Sequence, residues 1–422
     1  MKKRVVVTAY AVHPKRGSED GTGWNIIRTL GQQHELIAIT RKNNQPAIDE
    51  YRTHHPAELN NIEFHYYDLP RWLSWWKRGS RGALLYHYLW HLGVALFIIR
   101  QQFEFDIAHH LNFHCDWAPT FLWLTGKPVV WGPVGHHPRF PKNYTAPLGF
   151  SFRIKEELKW LAKQAAWRLD PFLWLSKRTS AAILGINSSV ASVLRLAPDR
   201  VHIVPAVAAK AVPAPTSERQ GFQVLSIGRF VPLKGFDMCI RAYAKFFHQL
   251  NPIEQQQTQL KLIGKGPQED YLKQLIAEEK LPDGAVEIIN WVPQQELARH
   301  YAKASLLFFP SHEGAGMVVP EAMAYGVPTL SYDNYGPGET AGAAGMRIPY
   351  SNYEESISAF ALSLMELFYH KELRHQLSQQ ARQRFAATFT WEAKANTIAG
   401  IYEKVMPQSK ATTQKTLERI AI

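Results

Sequence analysis

The stretch "QVLSIGRFVPLKGFDMCIRAYAKFFHQ", residues 223–249, joins an apolar run, a short loop and a helical pattern. Residues 223–227 form the kind of run that becomes a strand buried on both faces, and Gly228 begins a turn. From Phe236 onward the apolar residues recur at helical spacing, which predicts a helix over residues 236–249. A strand, a loop and a helix in this order are typical of a parallel sheet covered by helices.

The same unit recurs through both halves of the chain. In the first half the predicted strands are residues 4–9, 35–40, 62–67, 107–110 and 128–131. In the second half the predicted strands are residues 223–227, 260–263, 286–289, 306–309 and 329–332, and helical patterns cover residues 236–249, 269–279 and 294–303. A chain of 422 residues is too long for one ordinary core. We therefore predict an α/β protein with two Rossmann-like domains, joined near the Pro-rich residues 212–221.

The composition is that of a globular protein, with 46% hydrophobic and 20% charged residues. Cys115 and Cys239 are the only cysteines, which excludes a disulfide framework and a cysteine-based zinc site and suits a reducing compartment. The amino-terminal "MKKRVVVTAYAVHP" has a basic start before a short apolar run. We interpret it as the first buried strand and not as a signal peptide.

The excess of positive over negative charge lies entirely in the first half of the chain. Residues 1–213 contain 27 Lys+Arg and 15 Asp+Glu, whereas the remainder contains 21 of each. All tryptophans except Trp291 and Trp391 also lie before residue 213. A basic, Trp-rich half joined to a neutral half indicates an anionic or membranous partner for the first domain.

In open parallel sheets, ligands bind beyond the carboxyl ends of the strands, so the loops after the predicted strands are the candidate sites. Arg229 and Lys234 lie in "GRFVPLKGF", where two cations could hold a diphosphate; a solvated basic loop is the equally weighted alternative. The loop "GKGPQED" resembles half of a dinucleotide fingerprint, but its third position is Glu269 and not glycine. This departure disfavours a dinucleotide oxidoreductase.

The loop after residues 306–309 is "SHEGAGMVVPEAMAYGVPTL", residues 311–330. Gly314 and Gly316 allow close approach of a ligand, and a helix is predicted to start near Met317, with its free N–H groups toward an anion. Glu313 lies before this helix and Glu321 about one turn into it, on either side of the loop. The alternative is that Glu313 only caps the helix and Glu321 lies on its surface.

Three loops of the first half follow predicted strands. Gly17, Gly21 and Gly23 make a flexible loop that enters a helix; a plain strand-to-helix turn is the alternative, although three glycines are more than a turn needs. The segment "DIAHHLNFHCDW" places His109, His110 and His114 at a strand end. No carboxylate spacing completes a metal site there, so a hydrogen-bonding imidazole is the favoured interpretation. The third loop, "WGPVGHHPRFP", contains His136 on the same edge.

Together these motifs resemble the family 4 retaining glycosyltransferases, which have the GT-B fold. The resemblance rests on "GRFVPLKGF", "LIGKGP", "VPQQELARHYAKASLLFFPS", "EGAGMVVPEAMAYGVP" and "FTWEAKANTIAGIYEKV". It is strong over residues 223–405 and weaker in the first half, where "GSEDGTGWN" and residues 106–135 are similar to a bacterial branch that makes polysaccharides or glycolipids. It implies an N-terminal acceptor domain (1–212), a nucleotide-sugar domain (213–390), and a final helix that returns to the first domain before a polar tail (391–422).

The resemblance also implies roles for single residues. Arg229 and Lys234 would hold the nucleotide diphosphate, Glu321 the ribose hydroxyls and Glu313 the transferred sugar. Further donor contacts would come from backbone groups of the flanking loops, namely Gly17, Gly314, Gly316, Met317 and Val318.

A histidine at the end of the fourth strand would lie near the reacting carbon in such an enzyme. The family usually shows His-x-His at this point, whereas this chain has His109-His110-Leu111, so both histidines remain candidates. The segment "IVPAVAAK", residues 203–210, departs from the family's Asn-Gly-Val-Asp type of turn, which leaves the linker-side contacts open.

The expected activity is retaining transfer of a hexose from a nucleotide sugar, with UDP assumed from family frequency. The departing phosphate could take the acceptor's proton, so no paired acid and base are needed, and we expect neither a metal nor another cofactor. The alternatives are another GT-B enzyme, such as a sugar-nucleotide epimerase or a glycogen-type synthase, and a catalytically silent scaffold subunit.

The acceptor side is assigned to the basic half. Two segments combine aromatic and basic residues: residues 69–100, which contain Trp75, Trp76, Lys77 and Arg78, and residues 153–168. Residues 82–99 are uncharged and long enough to span a membrane, but a core helix and a headgroup-level helix are the favoured alternatives. The expected acceptor or membrane side consists of Trp75, Trp76, Lys77, Arg78 and His136. We expect cytoplasmic location at an anionic membrane, with a glycan or lipid-linked acceptor and without nucleic acid as a partner.

Overall fold

The computed structural model describes residues 2–79, 81–111, 115–145, 149–213, 219–290 and 292–406. These ranges form two parallel sheets, and helical crossovers connect the strands within each sheet. Three features predicted from the sequence lie outside them: His114, residues 214–218 of the interdomain join, and the polar tail from residue 407 onward.

The first sheet has seven parallel strands in the order β3-β2-β1-β4-β5-β6-β7. Its strands are Arg4–Thr8 (β1), Glu35–Thr40 (β2), Ile62–Tyr66 (β3), Ile107–His110 (β4), Val129–Val134 (β5), Ala182–Gly185 (β6) and Val201–Ile203 (β7). The helices of this half are Ser18–Leu30 (α1), Gln45–His54 (α2), Arg71–Ser74 (α3), Ala83–Gln101 (α4), Gly149–Leu169 (α5), Pro171–Thr179 (α6) and Ser189–Leu194 (α7).

The second sheet has six parallel strands in the order β10-β9-β8-β11-β12-β13. Its strands are Phe222–Ile227 (β8), Thr258–Ile263 (β9), Val286–Ile289 (β10), Leu306–Phe308 (β11), Thr329–Tyr332 (β12) and Gly345–Ile348 (β13). The helices are Phe236–Phe247 (α8), Pro252–Gln255 (α9), Glu269–Glu278 (α10), Gln294–Lys303 (α11), Val318–Ala324 (α12), Pro337–Ala341 (α13), Tyr353–Tyr369 (α14), Lys371–Arg384 (α15) and Trp391–Val405 (α16).

All ten strands predicted from the sequence are present, most within one or two residues of the expected ends. Burial on both faces explains why their sequences are continuous apolar runs: Val5 and Val7 pack in one core cluster of the first domain, and Val6 packs in another. The prediction missed β6, β7 and β13. β7 has three residues, and β13 has none that is fully buried, so neither gives a strong hydrophobic signal.

The strand order fixes where the loops meet. In the second sheet β8 pairs with β9 on one side and with β11 on the other, so the chain reverses direction across the sheet between β8 and β11. The loops that follow these two strands leave the same edge side by side, which is the usual ligand position in such sheets. The loop with Lys234 and the loop with Glu313 are therefore neighbours.

The last helix, α16, returns to the first domain, as expected. Thr390 caps the helix by accepting a hydrogen bond from the Ala393 amide at 3.1 Å. From α16, Trp391, Ile398 and Tyr402 then pack into the first-domain core. The crossing is therefore fixed by burial of apolar side chains and not only by chain connectivity.

A segment of the first half also packs into the second domain. Phe140 and Tyr144 are buried and belong to the core cluster of the second sheet. The Tyr144 hydroxyl lies 2.6 Å from the Ser356 hydroxyl and accepts a hydrogen bond from the Ser351 amide at 3.2 Å. We call residues 139–145 the interdomain arm, because they leave the first sheet and contact the second domain.

Helix α4 is the part of the described chain that is long and apolar enough to cross a membrane, by length and composition only. In the structure 33% of its apolar window is buried, and Trp90, Val94 and Ile98 face a first-domain core cluster. Its exposed side carries Leu84 and Leu96. The helix thus serves as a core helix on one side and leaves an apolar side uncovered.

Candidate functional site

Lys234 and Glu313 form the central contact at the carboxyl edge of the second sheet. The Lys234 ammonium lies 2.7 Å and 2.6 Å from the two carboxylate oxygens of Glu313. Lys234 ends a short 3₁₀ turn after β8, and Glu313 follows β11, so the pair joins the two loops at the reversal point. The same ammonium lies 4.9 Å from the centre of the Phe309 ring, which shields it on one side.

The Glu313 carboxylate is strongly desolvated. Burial raises the pKa of Glu313, and the neighbouring Lys234 ammonium opposes that rise. Because both carboxylate oxygens bond the same cation, the side chain is held in one orientation within the loop. The pair therefore offers an ammonium and a carboxylate in a fixed orientation, which could bind the charges and hydroxyls of a ligand.

Glu321 lies one turn into α12 and contacts a second-domain aromatic. The Tyr301 hydroxyl donates a 2.8 Å hydrogen bond to Glu321 Oε2. Burial raises the pKa of Glu321, and the Tyr301 bond opposes the rise. Tyr301 stacks on Tyr325 at 5.6 Å, so the carboxylate is oriented by a packed aromatic pair. It therefore does not lie free on the helix surface.

The remaining predicted donor groups surround these two glutamates. Met317 occupies the N-cap position of α12 and Val318 is the first residue of the helix, as expected. A Cβ on Gly316 would lie within 3.3 Å of the Glu313 carboxylate. Arg229 is exposed in the loop after β8. Both loops and the helix start thus follow strands of the same sheet edge.

The loop around Gly314 also touches the first domain. The Gly314 backbone amide donates to His137 Nδ1 at 3.2 Å, and the Gly314 carbonyl accepts from the side-chain Nδ2 of Asn187 at 2.8 Å. A Cβ on Gly314 would collide with the carbonyl oxygen of His136. Ser188 adds a hydroxyl bond of 2.7 Å to Glu339 of the second domain. The two domains therefore meet directly at the candidate site, in a closed arrangement.

Behind this contact His136 is part of a buried charged group. His136 Nδ1 lies 2.5 Å from Asp116 Oδ2, and the Lys163 ammonium of α5 lies 3.4 Å from the same oxygen. Lys163 also donates to the His137 carbonyl at 3.4 Å. His136 thus lies at the loop that meets Gly314, but beneath α5, where Trp160 and Trp167 pack near its ring.

His109 lies in β4, as predicted, and is held there by two hydrogen bonds. Its Nε2 lies 2.8 Å from the Gly132 carbonyl, which can only accept, so Nε2 carries the proton and Nδ1 accepts from the Tyr402 hydroxyl at 2.6 Å. Burial lowers the pKa of His109 to about 4, which keeps the ring neutral. Both ring nitrogens are used within the fold, so His109 joins β5 to α16 and has no nitrogen left for a substrate.

His110 points to the opposite side of β4, as strand alternation requires. Its ring lies 4.1 Å from that of His91 on α4, and burial drives the pKa of His110 well below its usual range. Among the described residues its Nε2 has no hydrogen-bond partner. The structure therefore separates the two candidates: His110 keeps an unused nitrogen and His109 does not.

The other predicted residues belong to the first domain. Gly17 is the N-cap of α1, and a Cβ there would meet nothing within 4 Å. Trp75 is 76% exposed beyond α3, whereas Trp76 packs against Gly82. The Lys77 ammonium lies 4.6 Å from the centre of the Tyr86 ring, and Arg78 pairs through its backbone with Arg81. These four residues form a surface of the first domain.

Sequence reasoning missed five residues of the site region. These are Asp116, His137, Asn187, Tyr301 and Glu339. Glu339 follows β12 in the stretch "NYGPGE", so the rule that found Glu313 could have found it. Asn187 sits after β6, a strand that was itself missed. Asp116 and Tyr301 are visible only through their contacts.

Comparisons with known proteins agree with this architecture. Residues 210–384 match the model of the family described as Glycosyl transferases group 1. The MMP alpha-(1->4)-mannosyltransferase of Mycolicibacterium hassiacum is 27% identical over 374 residues, covering 86% of this chain and 84% of that protein. An exopolysaccharide phosphotransferase of Streptomyces coelicolor is 33% identical over 152 residues, covering 35% of this chain and only 15% of that protein.

Two solved structures share the arrangement of both domains. Sucrose-phosphate synthase from Thermosynechococcus elongatus gives a TM-score of 0.63 at 16% identity, over 96% of this chain and 99% of that one. Anabaena HepE in complex with UDP and glucose gives a TM-score of 0.58 at 14% identity, over 95% and 100%.

At these identities the structural likeness establishes the fold, which is the GT-B arrangement of two facing Rossmann-like domains. The class that the comparisons define is therefore a fold class, GT-B, with similarity over residues 210–384 to the family described as Glycosyl transferases group 1. The matched segment of the second domain contains Lys234, Glu313 and Glu321.

Proposed function

We propose that the protein is a retaining glycosyltransferase of the family 4 type. It moves a hexose from a nucleotide sugar, in the first instance a UDP-sugar, to a glycan or a lipid-linked saccharide in cell-surface polysaccharide or glycolipid synthesis. The observation that carries the proposal is the Lys234–Glu313 pair at the carboxyl edge of a glycosyl transferases group 1 domain. A cation for the leaving phosphate and a carboxylate for sugar hydroxyls are the two groups that such a donor needs.

In the proposed donor complex the diphosphate lies over the loop after β8. Lys234 and the exposed Arg229 would then offset the charge that develops on the leaving phosphate. Because these cations neutralise the leaving group, the proposed transfer requires no metal. Glu321, oriented by Tyr301, would accept hydrogen bonds from the ribose hydroxyls.

In the proposed mechanism the acceptor bonds to the face of the sugar from which the phosphate departs. The product therefore keeps the anomeric configuration of the donor. Both oxygens of Glu313 are bonded to Lys234, which favours a binding role for this carboxylate over attack on the sugar. The departing phosphate would take the proton of the acceptor hydroxyl as the new glycosidic bond forms. The direct contact between the domains at Gly314 supports exclusion of water during this step.

The donor base is tested by thermal unfolding against UDP-, GDP- and ADP-sugars. UDP is favoured by the complex of Anabaena HepE with UDP and glucose. A ligand at a hundredfold excess over its Kd stabilises the folded protein by about 2.7 kcal/mol, so one donor class should raise Tm clearly above the others. If no nucleotide sugar raises Tm, the donor assignment fails.

Product analysis separates transfer from the alternatives. A glycosyltransferase consumes the donor only with an acceptor, releases the nucleoside diphosphate, and gives an anomeric signal of unchanged configuration by NMR. An epimerase would change the donor without an acceptor. A scaffold subunit would bind without turnover. An inverted anomeric product would overturn the retaining mechanism.

We place the reaction at the cytoplasmic face of an anionic membrane. Support comes from the basic first half of the chain and from Trp72 and Trp75, which are exposed around α3. The acceptor would reach the cleft from the first-domain side, past the loop that contains His136 and His137.

A further inference from the structure

Helix α5 has an uncovered apolar side. Its exposed large apolar residues follow one another at spacings of four, four, three and eight positions, which places them along one face of the helix. They are 43–78% exposed: Phe150, Ile154, Leu158, Leu161 and Leu169. We call this set the α5 stripe. Soluble proteins rarely leave a continuous apolar row of this kind in water without a partner.

The charges beside the stripe have one sign. The exposed ionisable residues of α5 are Arg153, Lys155, Lys159 and Arg168. The two carboxylates of the helix, Glu156 and Glu157, are half-buried and are bonded to Lys159 and Arg139 respectively. Four exposed cations outnumber the two carboxylates, so the surface combines apolar side chains with a net positive charge. This is the chemistry that an anionic bilayer, with its acyl chains below charged headgroups, would match.

The neighbouring helices continue this surface. The Tyr88 hydroxyl of α4 donates to Asp170 at 2.9 Å, and Asp170 caps α6, so α4 meets the junction between α5 and α6. Exposed apolar residues lie on both helices near this junction: Leu84, Leu85, Phe172 and Trp174. The uncovered area is thus wider than one helix, which suits a bilayer better than a single partner helix.

The ends of α5 are attached to different domains. Near its start, Phe152 packs on Phe140 of the interdomain arm at 5.4 Å and against the second-domain core. Near its end, Trp167 packs with Trp131 and Leu173 of the first domain. α5 therefore bridges the two domains, in addition to the chain crossings at residues 204–213 and 389–391.

The inner side of α5 touches the loop at the cleft. Lys163 donates to the His137 carbonyl at 3.4 Å, and the His137 ring accepts from the Gly314 amide at 3.2 Å. One helix, about 10 Å across, thus separates the α5 stripe from the contact between the domains. A movement of α5 would therefore displace the His137 loop and change its contact with Gly314.

We propose that the α5 stripe docks on an anionic lipid bilayer, and that docking holds the interdomain arm seated, so that the bilayer stabilises the closed arrangement of the two domains. This regulation rests on the proposed glycosyltransferase function, since closure matters only if the cleft is the reaction site. It also places the cleft next to the bilayer, where a lipid-linked acceptor would be found.

Flotation of the full-length protein with vesicles tests the docking. The probe is phosphatidylcholine–phosphatidylglycerol vesicles at 3:1, compared with pure phosphatidylcholine. The variant Leu158→Glu/Leu161→Glu should lose binding by about tenfold or more, and 0.5 M NaCl should weaken wild-type binding. The matched control is Leu362→Glu, an exposed leucine on α14 of the second domain, which should float like the wild type.

Two outcomes would overturn the docking: a stripe variant that floats like the wild type, or a wild type that does not float and forms a dimer which the stripe substitutions dissociate. The second result would mean that another copy of the chain covers the face. Circular dichroism of each variant shows whether it is folded.

Hydrogen exchange tests the coupling. Amides of residues 139–145 should exchange about threefold or more slowly when the wild type is on anionic vesicles, because a seated arm opens less often. The stripe variant should show no such change. Unchanged exchange in vesicle-bound wild type would overturn the coupling. Neither experiment uses a nucleotide sugar, so these results are independent of whether the proposed transfer is correct.

Discussion

The two walls of the cleft differ in how they are assembled. On the second-domain wall, Lys234 and Glu313 come from loops after β8 and β11, each contained in about ten consecutive residues. On the first-domain wall the contact to Gly314 depends on Asn187 and on His137, whose loop is held by Lys163. The second-domain wall follows from strand order alone. The first-domain wall exists only because distant segments pack together, so changes to it should act through geometry and not through charge.

The largest effect is expected on the second-domain wall. Lys234→Ala removes the cation from the proposed leaving group and leaves Glu313 buried without its partner. Transfer should fall about 10³-fold, because groups that stabilise developing charge contribute this much in a desolvated site. Steady-state kinetics with the donor found by the thermal panel measures it. Lys273→Ala, an exposed lysine on α10, is the control, and wild-type turnover in Lys234→Ala would remove the site assignment.

Gly314→Ala tests the contact between the walls. The added Cβ would meet the His136 carbonyl, so the domains would have to separate slightly. Transfer should fall about 10²-fold, as expected for a displacement of reacting groups by about 1 Å. Small-angle X-ray scattering should show a more open molecule, whereas Gly400→Ala, which has free space around it, should match the wild type. A fully active Gly314→Ala variant would show that closure at this point is not needed.

Acid stability tests the role assigned to His109. Its folded-state pKa of about 4 lies below the ordinary value of about 6.5, so the fold favours the neutral ring. This contribution is fully present above pH 6.5 and is lost as the pH falls from 6.5 toward 4. Between pH 8 and pH 5 its loss should lower the free energy of unfolding by about 2 kcal/mol.

Urea unfolding of His109→Gln measures that contribution. Glutamine can donate to Gly132 and accept from Tyr402 without titrating, so the variant should lose less stability on acidification than the wild type. His91 and His110, also buried with lowered pKa values, remain in both proteins, so the difference between the two pH slopes reports the removal of His109. The exposed His375→Gln serves as the control. Identical pH slopes in His109→Gln and wild type would contradict this role.

The smallest effect concerns the orientation of Glu321. Tyr301→Phe removes the hydroxyl that holds the carboxylate, so the KM for the donor should rise about tenfold with little change in kcat. Glu321→Ala should cost more, since it removes the proposed ribose contact itself. Tyr271→Phe, a half-exposed tyrosine on α10, is the control. A donor KM unaffected by Glu321→Ala would disprove the ribose role.

Local sequence was sufficient to locate the candidate site residues where they follow a strand with a clear apolar pattern. The runs before Gly228 and Glu313 are buried on both faces, so both strands and their loops could be placed. The histidines after β4 show the limit of this reasoning. Strand alternation puts His109 and His110 on opposite faces of the sheet. Only the contact with Tyr402, 293 residues away, shows that α16 covers the face with His109. Asn187 was missed because β6, the strand before it, was not predicted.

The sequence by itself determined two parallel α/β domains, the sheet edge at which a ligand is expected, and the loops with Lys234, Glu313 and Glu321, because these features depend on hydrophobic periodicity and strand order. Tertiary structure alone decided that His109 is consumed by the fold, that the interdomain arm packs into the second domain, and that one side of α5 stays uncovered. The reason is physical: which nitrogen is bonded and which apolar face is buried depend on neighbours that are far apart in the chain and meet only on folding.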